Sequence, residues 1–362
     1  MGRQAFESVV EAIRERGPIT FSEYMERALY GPGGYYEHPP VGPAGDFVTS
    51  PHVHPVFGEL LAEAISDLWG SIDGREPLHL VEAGAGDGTL LHQLLSGLSG
   101  RPLEVTAVER SSGAREVLAA IDGVSVSETV PTFGPAVILC HELLDNLPFR
   151  RIRGTDQGSR EVRIGLDDGR LVEVLVPIDA DVVELGGPPP TESLAPGDEV
   201  ISPTGAVDFL IGALTSTDGA PRAALVIDYG SDEGAAGTVH GYRGHRVVED
   251  VLADPGKTDV TAGVDFGILL RASLAAGCYA SPSVSQRDAL MALGFQDWLH
   301  SALERQADLL NTGRGADAVR LWGGRSRASM LIDPAGLGRT RWFLASSIEV
   351  MAPRWMDRSE GP

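Results

Sequence analysis

The segment Leu78-His79-Leu80-Val81-Glu82-Ala83-Gly84-Ala85-Gly86-Asp87-Gly88-Thr89 limits the folds open to this chain more than any other. A short apolar run passes directly into three glycines at alternate positions, and helix-forming residues follow from Thr89 to Leu98. That order reads as a buried strand, a tight turn and a helix. Glycines let the main chain turn sharply and let a ligand approach it closely. The first turn of the next helix then offers unpaired N–H groups. In parallel sheets such a turn lies at the carboxyl end of a strand, where ligands bind.

The alternation continues on both sides of this turn. Further strands are expected at Leu103–Glu109, Val124–Ser127 and Ala136–Cys140, with a helix at Gly113–Ile121 and an amphipathic one at Pro55–Trp69. Strands alternating with helices imply a doubly wound α/β fold with a mostly parallel sheet. After residue 150 the period changes to two on either side of Asp168-Gly169, which predicts a hairpin. Helices are expected over Val200–Leu214, in Val260–Ala276 after Thr261, and over Gln296–Leu310, and strands at Ala223–Asp228 and Arg341–Ala345. The Arg- and Gly-rich stretch Gly313–Arg327 is expected to be mobile. Four regions result: 1–75, helical with a lid loop at residues 30–51; 76–150, the first half of a Rossmann-like domain; 151–200, a β-rich insertion; and 201–362, the second half with helical additions.

Acids beside the glycines narrow the ligand. Glu82 sits at the end of the first strand, where a carboxylate can balance the amino and sulfonium charges of S-adenosylmethionine. It would repel a pyrophosphate. A dinucleotide fingerprint needs G-x-G-x-x-G, and counting from Gly84 its third glycine position holds Thr89. Glu109, about twenty residues on, can hold ribose hydroxyls in either cofactor class. S-adenosylmethionine is therefore the expected cofactor, leaving S-adenosylhomocysteine as product, with NAD as the other reading. Glu82, Gly84, Gly86, Asp87 and Glu109 are the candidate cofactor residues. Asp46 and Thr49, in the Gly45–Pro51 segment, join them as the edge of a lid, unless that segment only caps the following helix.

A second constellation follows the Ala136–Cys140 strand: His141-Glu142-Leu143-Leu144-Asp145-Asn146-Leu147-Pro148. Glu142 and Asp145 are three residues apart, so one helical turn would place both carboxylates on the same side. Such a pair can clamp a guanidinium or an amine and take up the proton lost after transfer. The plainer reading is a solvated pair at a helix start. His141, Glu142 and Asp145 are the candidate catalytic residues.

Composition excludes several classes. The 362 residues carry 29 Lys and Arg against 51 Asp and Glu, a net charge of −22. That field repels nucleic acid and anionic lipid and attracts a basic protein or peptide. Two cysteines, Cys140 and Cys278, form neither a disulfide framework nor a zinc motif, and no metal is expected. The start of the chain reads as neither a secretory signal nor an acid-poor transit peptide, and no stretch is apolar enough to span a membrane. A cytoplasmic protein, able to pair as a homodimer, fits these features.

The motifs together resemble those of the MidA family, the methyltransferases related to mitochondrial complex I assembly factor 7. The matching residues include Gly17-Pro18-Ile19-Thr20-Phe21, Gly34-Tyr35-Tyr36, Gly45-Asp46-Phe47-Val48-Thr49-Ser50-Pro51, the glycine turn, Glu142-Leu143-Leu144-Asp145-Asn146-Leu147-Pro148, Asp228-Tyr229-Gly230 and Asp259-Val260-Thr261. The resemblance implies a class I S-adenosylmethionine-dependent methyltransferase fold with an added lobe. For the mitochondrial members it implies methylation of a protein arginine. Two positions depart from the family pattern: His141 stands where Asn is usual, and Asn146 where Ala is usual. The expected activity is N-methylation of a protein or peptide arginine. A methyltransferase for a specialised peptide or small molecule is the alternative, and an NAD enzyme or a non-catalytic assembly factor is more distant.

Overall fold

The computed structural model describes residues 2–37, 49–178, 194–233, 239–244 and 246–356. Its centre is a seven-stranded sheet. In chain order the strands are β1 (Leu78–Ala83), β2 (Leu103–Val108), β3 (Val124–Ser127), β4 (Ala136–His141), β5 (Arg222–Asp228), β6 (Tyr279–Ser285) and β7 (Arg341–Ser346). Across the sheet they lie in the order β6-β7-β5-β4-β1-β2-β3. The pairs β3–β2, β2–β1, β1–β4 and β4–β5 are parallel, and β7 runs antiparallel to both β5 and β6.

Both faces of this sheet are covered, which is why its strands read as continuous apolar runs. Leu78, Leu80, Val137, Leu139, Leu225 and Ile227 point into one core, against the helices Val56–Ser71 and Thr89–Gly97. Val81, Ala83, Ile138, Cys140, Ala224 and Val226 point into the other, against Thr204–Leu214 and Phe266–Ala275. The chain moves outward from β1 to β3 and then returns to β4 on the far side of β1. The strand order therefore reverses between β1 and β4, and a crevice opens at their carboxyl ends.

Between β4 and β5 lies an antiparallel sheet. Its strands are Arg150–Thr155, Gly158–Asp167, Arg170–Val176 and Glu199–Ser202, with Ile19–Thr20 added from the N-terminal region. Asp168 and Gly169, both at positive φ, make the two-residue turn that the sequence predicts. The helices Gly2–Arg16 and Phe21–Met25 pack against this sheet in a third apolar cluster.

Several expectations need correction. Val200–Leu214 is not one helix: Glu199–Ser202 is a strand, drawn onto Arg150–Arg153, and the helix starts at Thr204. Glu199 bonds both Arg151 and Arg153 across that pairing, so tertiary contacts override local propensity. The helix expected in Val260–Ala276 after Thr261 starts later than that. Asp259–Ala262 and Val264–Asp265 are strands, and the helix Phe266–Ala275 begins only where Asp265 Oδ1 accepts the Ile268 N–H at 2.9 Å. Gly313–Arg327, expected to be mobile, lies mainly in the helix Gly315–Ala328, which packs on Phe295–Asn311 and buries Ala318 and Ala328. Strand β6, rich in Ser, Ala and Pro, has little strand signal of its own and takes its place by pairing with β7.

Candidate functional site

A cavity of about 1140 Å³ occupies the crevice above β1 and β4. Its walls include Glu82, Gly84, Gly86, Asp87, Glu109, Thr49, His141, Glu142 and Asp145, so the fold brings these sequence-derived candidates to one place. Asp46 lies outside the described residues.

One end of the cavity is built on the glycine turn. Gly84, Gly86 and Gly88 all have positive φ, from 55° to 78°. A Cβ on Gly84 would stand 3.0 Å from Leu143 Cδ1, and one on Gly88 would stand 2.8 Å from Ile121 Cδ1. Side chains at these positions would therefore cost both backbone strain and space. Glu109 fixes the turn from the neighbouring strand end: its Oε2 accepts the Gly86 N–H at 3.1 Å and its Oε1 accepts the Ser111 N–H at 2.9 Å. Asp87 Oδ1 accepts the Thr89 N–H at 2.9 Å.

His52 then ties the turn to the segment that begins at Thr49. Its Nε2 lies 3.0 Å from Asp87 Oδ2, and its Nδ1 lies 2.9 Å from Thr49 Oγ1. Burial alone would raise the Asp87 carboxyl, but the His52 bond and the Thr89 N–H outweigh it and hold the group down at about 2. An ionised Asp87 can only accept, so this bond places a proton on His52 Nε2.

Glu82 behaves differently. It is buried, and its Oε2 has no hydrogen-bond partner among the described residues. Burial, reinforced by Asp87 and Glu109, pushes its carboxyl up to about 8. An orphaned buried acid facing a cavity is costly unless a donor or a cation completes it. The amino group and sulfonium of S-adenosylmethionine carry that charge, and the glycine turn gives them close access. These residues fit the cofactor.

The other end of the cavity surrounds the loop after β4. Glu142 adopts φ 50°, a left-handed conformation uncommon for a residue with a side chain. The surroundings fix it. Its N–H donates to the Ile227 carbonyl at 2.8 Å. The next three N–H groups, of Leu143, Leu144 and Asp145, converge on Asp228 Oδ2 at 3.2, 2.8 and 3.3 Å. Glu142 and Asp145 thus do not share the helical turn expected from their spacing. Asp145 lies in the short 3₁₀ turn Leu144–Asn146, and Glu142 precedes it, tied to β5 by its bond to Ile227. Both nevertheless line the cavity.

Each of these carboxylates keeps one buried oxygen without a partner among the described residues, Glu142 Oε1 and Asp145 Oδ1. The other Asp145 oxygen, Oδ2, accepts from the Thr261 hydroxyl at 2.8 Å. Burial, then the charge of Asp145, pushes Glu142 up to about 8. Burial likewise raises Asp145, against the pull of Thr261, to about 6. His141 Nε2 is also without a partner, 3.7 Å from Glu142 Oε1, and burial lowers the imidazole to about 3. It is neutral at physiological pH and serves as a dipole rather than a charge.

Sequence reasoning missed several neighbours. Asp259 Oδ1 accepts from the Tyr36 hydroxyl at 2.9 Å and from Asn146 Nδ2 at 3.0 Å. The Tyr30 hydroxyl donates to the Asn146 carbonyl at 3.1 Å, and its ring stacks on Tyr36 at 5.4 Å. Asp259 and Thr261 alternate along one strand, and that period of two was the available signal. Among the described residues, no cluster of three or more His, Cys, Asp or Glu could hold a metal ion, and no helix is long and apolar enough to cross a membrane.

Known proteins share this architecture. A family model described as "Putative S-adenosyl-L-methionine-dependent methyltransferase" matches residues 60–282. The chain is 34% identical to the protein arginine methyltransferase NDUFAF7, mitochondrial, of Xenopus tropicalis, over 82% of this chain and 77% of that one. It is 32% identical to the mouse protein of that name, over 92% and 82%. The crystal structure of a COG1565 superfamily member from Burkholderia thailandensis, bound to S-adenosyl-homocysteine, superposes with a TM-score of 0.81 at 25% identity, covering 99% of this chain and 95% of the other. An α/β sheet reversed at β1 and β4, an orphaned acid beside a glycine turn and these likenesses agree: the chain belongs to this family of S-adenosylmethionine-dependent methyltransferases, the MidA family its motifs resemble.

Proposed function

We propose that the methyl acceptor is an arginine side chain in a protein or peptide. The observation that carries this reading is the pair of buried carboxylates, Glu142 and Asp145, each with one oxygen left unpartnered at the cavity wall. Two single acceptors on separate side chains suit a planar guanidinium, which can donate to both from different nitrogens. The names of the NDUFAF7 relatives support the same acceptor, and a net charge of −22 favours a basic partner.

S-adenosylmethionine, when bound, supplies an electrophilic methyl group on a positively charged sulfur. The chain supplies placement. Glu82 and the glycine turn seat the donor, and Glu142 and Asp145 hold the guanidinium so that one nitrogen faces the methyl group. As the N–C bond forms and the S–C bond breaks, that nitrogen gives up a proton. Glu142, raised by burial toward neutrality, is matched to receive it. His141, neutral beside Glu142, adds a hydrogen-bonding group in the position where the family usually carries Asn.

The test uses donor labelled in its methyl group, incubated with the full chain and a cell extract, followed by mass spectrometry of the labelled species. Label on protein arginine is expected. Label on lysine or on a small metabolite would overturn the arginine assignment, and the latter would favour a small-molecule methyltransferase.

A further inference from the structure

Tyr30 and Tyr36 both line the cavity, and their rings stack at 5.4 Å with 17° between the planes. The chain between them has to double back tightly. The Gly34 N–H donates to the Gly31 carbonyl at 2.8 Å, and a Cβ on Gly34 would stand 2.7 Å from the carbonyl oxygens of Leu29 and Gly31. A side chain there would open the turn and part the rings. The two hydroxyls therefore leave this segment as a fixed pair.

That pair grips the loop after β4. The Tyr30 hydroxyl donates to the Asn146 carbonyl at 3.1 Å. The Tyr36 hydroxyl donates to Asp259 Oδ1 at 2.9 Å, and Asn146 Nδ2 donates to the same oxygen at 3.0 Å. Asn146 is thus held through both its main chain and its side chain, and it and Asp259 are buried. The residue before it is Asp145, whose Oδ2 takes the Thr261 hydroxyl and whose Oδ1 has no partner among the described residues. Asp259 and Thr261 are alternate residues of one strand and so face the same side. The place of the Asp145 carboxylate is set by its own bond to Thr261 and by the anchoring of Asn146 to Asp259.

The same segment is tied to the glycine-turn end. The Ser111 hydroxyl donates to the Glu37 carbonyl at 3.0 Å, while the Ser111 N–H donates to Glu109, the acid that also takes the Gly86 N–H. Arg110 lies over the Tyr30 ring, 4.5 Å from its centre, and pairs with Glu26. Residues 26–37 therefore touch both the strand end that fixes the glycine turn and the loop that carries the two acceptor acids. Methyl transfer needs the acceptor nitrogen about 3–3.5 Å from the methyl carbon and in line with the breaking S–C bond. The spacing of the two ends decides whether that geometry is reached.

We propose that Tyr36 and Asn146 are positioning residues, which act through their shared bond to Asp259 to hold Asp145 at the distance from the glycine turn that transfer requires. The proposal rests on the reading of Asp145 as a clamp for an arginine acceptor, and it asks neither residue to touch the reacting atoms. The test is steady-state methylation of an arginine peptide by the full chain with methyl-labelled S-adenosylmethionine. Rates are expressed per site, with sites counted by calorimetric titration with S-adenosylhomocysteine. Tyr36→Phe should lower kcat by roughly thirtyfold while the peptide KM and the S-adenosylhomocysteine affinity stay within about twofold of the parent. Asn146→Ala should do the same, and the two together should cost no more than the worse single, since both act through one oxygen. Asp259→Asn, whose amide oxygen still accepts, should keep more of the rate than Asp259→Ala. A Tyr36→Phe enzyme with the parental kcat per site, a loss confined to the number of competent sites, losses that multiply in the double variant, or an Asp259→Ala enzyme as fast as Asp259→Asn would overturn the proposal. A parent that binds S-adenosylhomocysteine but methylates no arginine peptide would overturn the arginine reading itself, and this proposal with it.

Discussion

The two ends of the cavity are both lined with acids, yet they are built in opposite ways. At the donor end, every carboxylate oxygen of Asp87 and Glu109 already has a partner in the protein. Asp87 is held by His52 and the Thr89 N–H, and Glu109 by two N–H groups. Of these three acids, only Glu82 keeps a buried oxygen without a partner among the described residues. At the acceptor end the division falls elsewhere. Asp228 is consumed in fixing the loop, while Glu142 and Asp145 each keep one oxygen free of partners among the described residues. The lesson is that a count of acids says little about a ligand; their remaining hydrogen-bonding capacity says more. One orphan suits a cation already fixed by a glycine cradle, and two suit a guanidinium that has no other anchor.

Substitutions can break this comparison one end at a time. The largest effect is expected at Glu142. Glu142→Gln should lower kcat/KM for a peptide arginine by about three orders of magnitude while leaving the affinity for S-adenosylmethionine nearly unchanged. In the parent enzyme kcat/KM should rise with pH through about 8, as the free enzyme's Glu142 ionises, and this limb should vanish in the Gln variant. Equal loss of cofactor affinity would mean that the two ends are not separate.

Glu82→Gln comes next, with the opposite signature: about a hundredfold weaker binding of S-adenosylmethionine, read by calorimetry. The cofactor-free variant should also be more stable than the parent at high pH. The folded state favours the protonated carboxyl, so below its ordinary value near 4.5 burial costs nothing extra. Between there and about 8 the unfolded chain ionises while the folded one resists, and stability falls with rising pH. Removing the charge should recover on the order of 5 kcal/mol above pH 8 and almost nothing at pH 4, measured by denaturant unfolding. A stability difference independent of pH would show that Glu82 is not the buried acid described.

Smaller changes sharpen the picture. Thr261→Val removes the donor that holds Asp145 Oδ2, so the Asp145 carboxyl should titrate higher and kcat/KM should fall by roughly tenfold at neutral pH, with Thr261→Ser restoring it. An unchanged rate would detach Asp145 from the chemistry. His52→Ala should weaken cofactor binding only a few-fold, since the Thr89 and Glu109 bonds still hold the turn. A loss as large as that of Glu82→Gln would make His52 a principal support of the turn.

Much of this was legible in the sequence because it rests on local rules. Leu78–Thr89 encodes strand, turn and helix through apolar residues and glycines that need positive φ, and Asp168-Gly169 encodes its hairpin in the same way. Parts that depend on distant pairing were not legible. Val200–Ser202 reads as the start of a helix and Asp259–Thr261 as the lead-in to one; Glu199–Ser202 and Asp259–Ala262 are strands because Arg150–Arg153 and Val239–Tyr242 pair with them. Taking Thr261 as the lead-in to a helix hid the strand alternation that puts Asp259 and Thr261 against the Leu144–Asn146 turn. His52 was hidden for a similar reason: its partner Asp87 lies 35 positions away, and no short motif joins them. The spacing of Glu142 and Asp145 suggested a shared helical turn, whereas a left-handed backbone at Glu142 brings both carboxylates to the cavity.

Proton release on acceptor binding tests the arrangement most directly. With the cofactor product S-adenosylhomocysteine present, an arginine peptide is titrated into the enzyme near pH 7.5 in buffers of different ionisation enthalpy. If a guanidinium docks on Glu142 and Asp145, the raised Glu142 carboxyl must ionise to meet it, and a substantial fraction of one proton should leave per peptide bound, less in Glu142→Gln. Binding with no proton released, or with the same release from Glu142→Gln, would contradict the assignment of that carboxylate pair to the methyl acceptor.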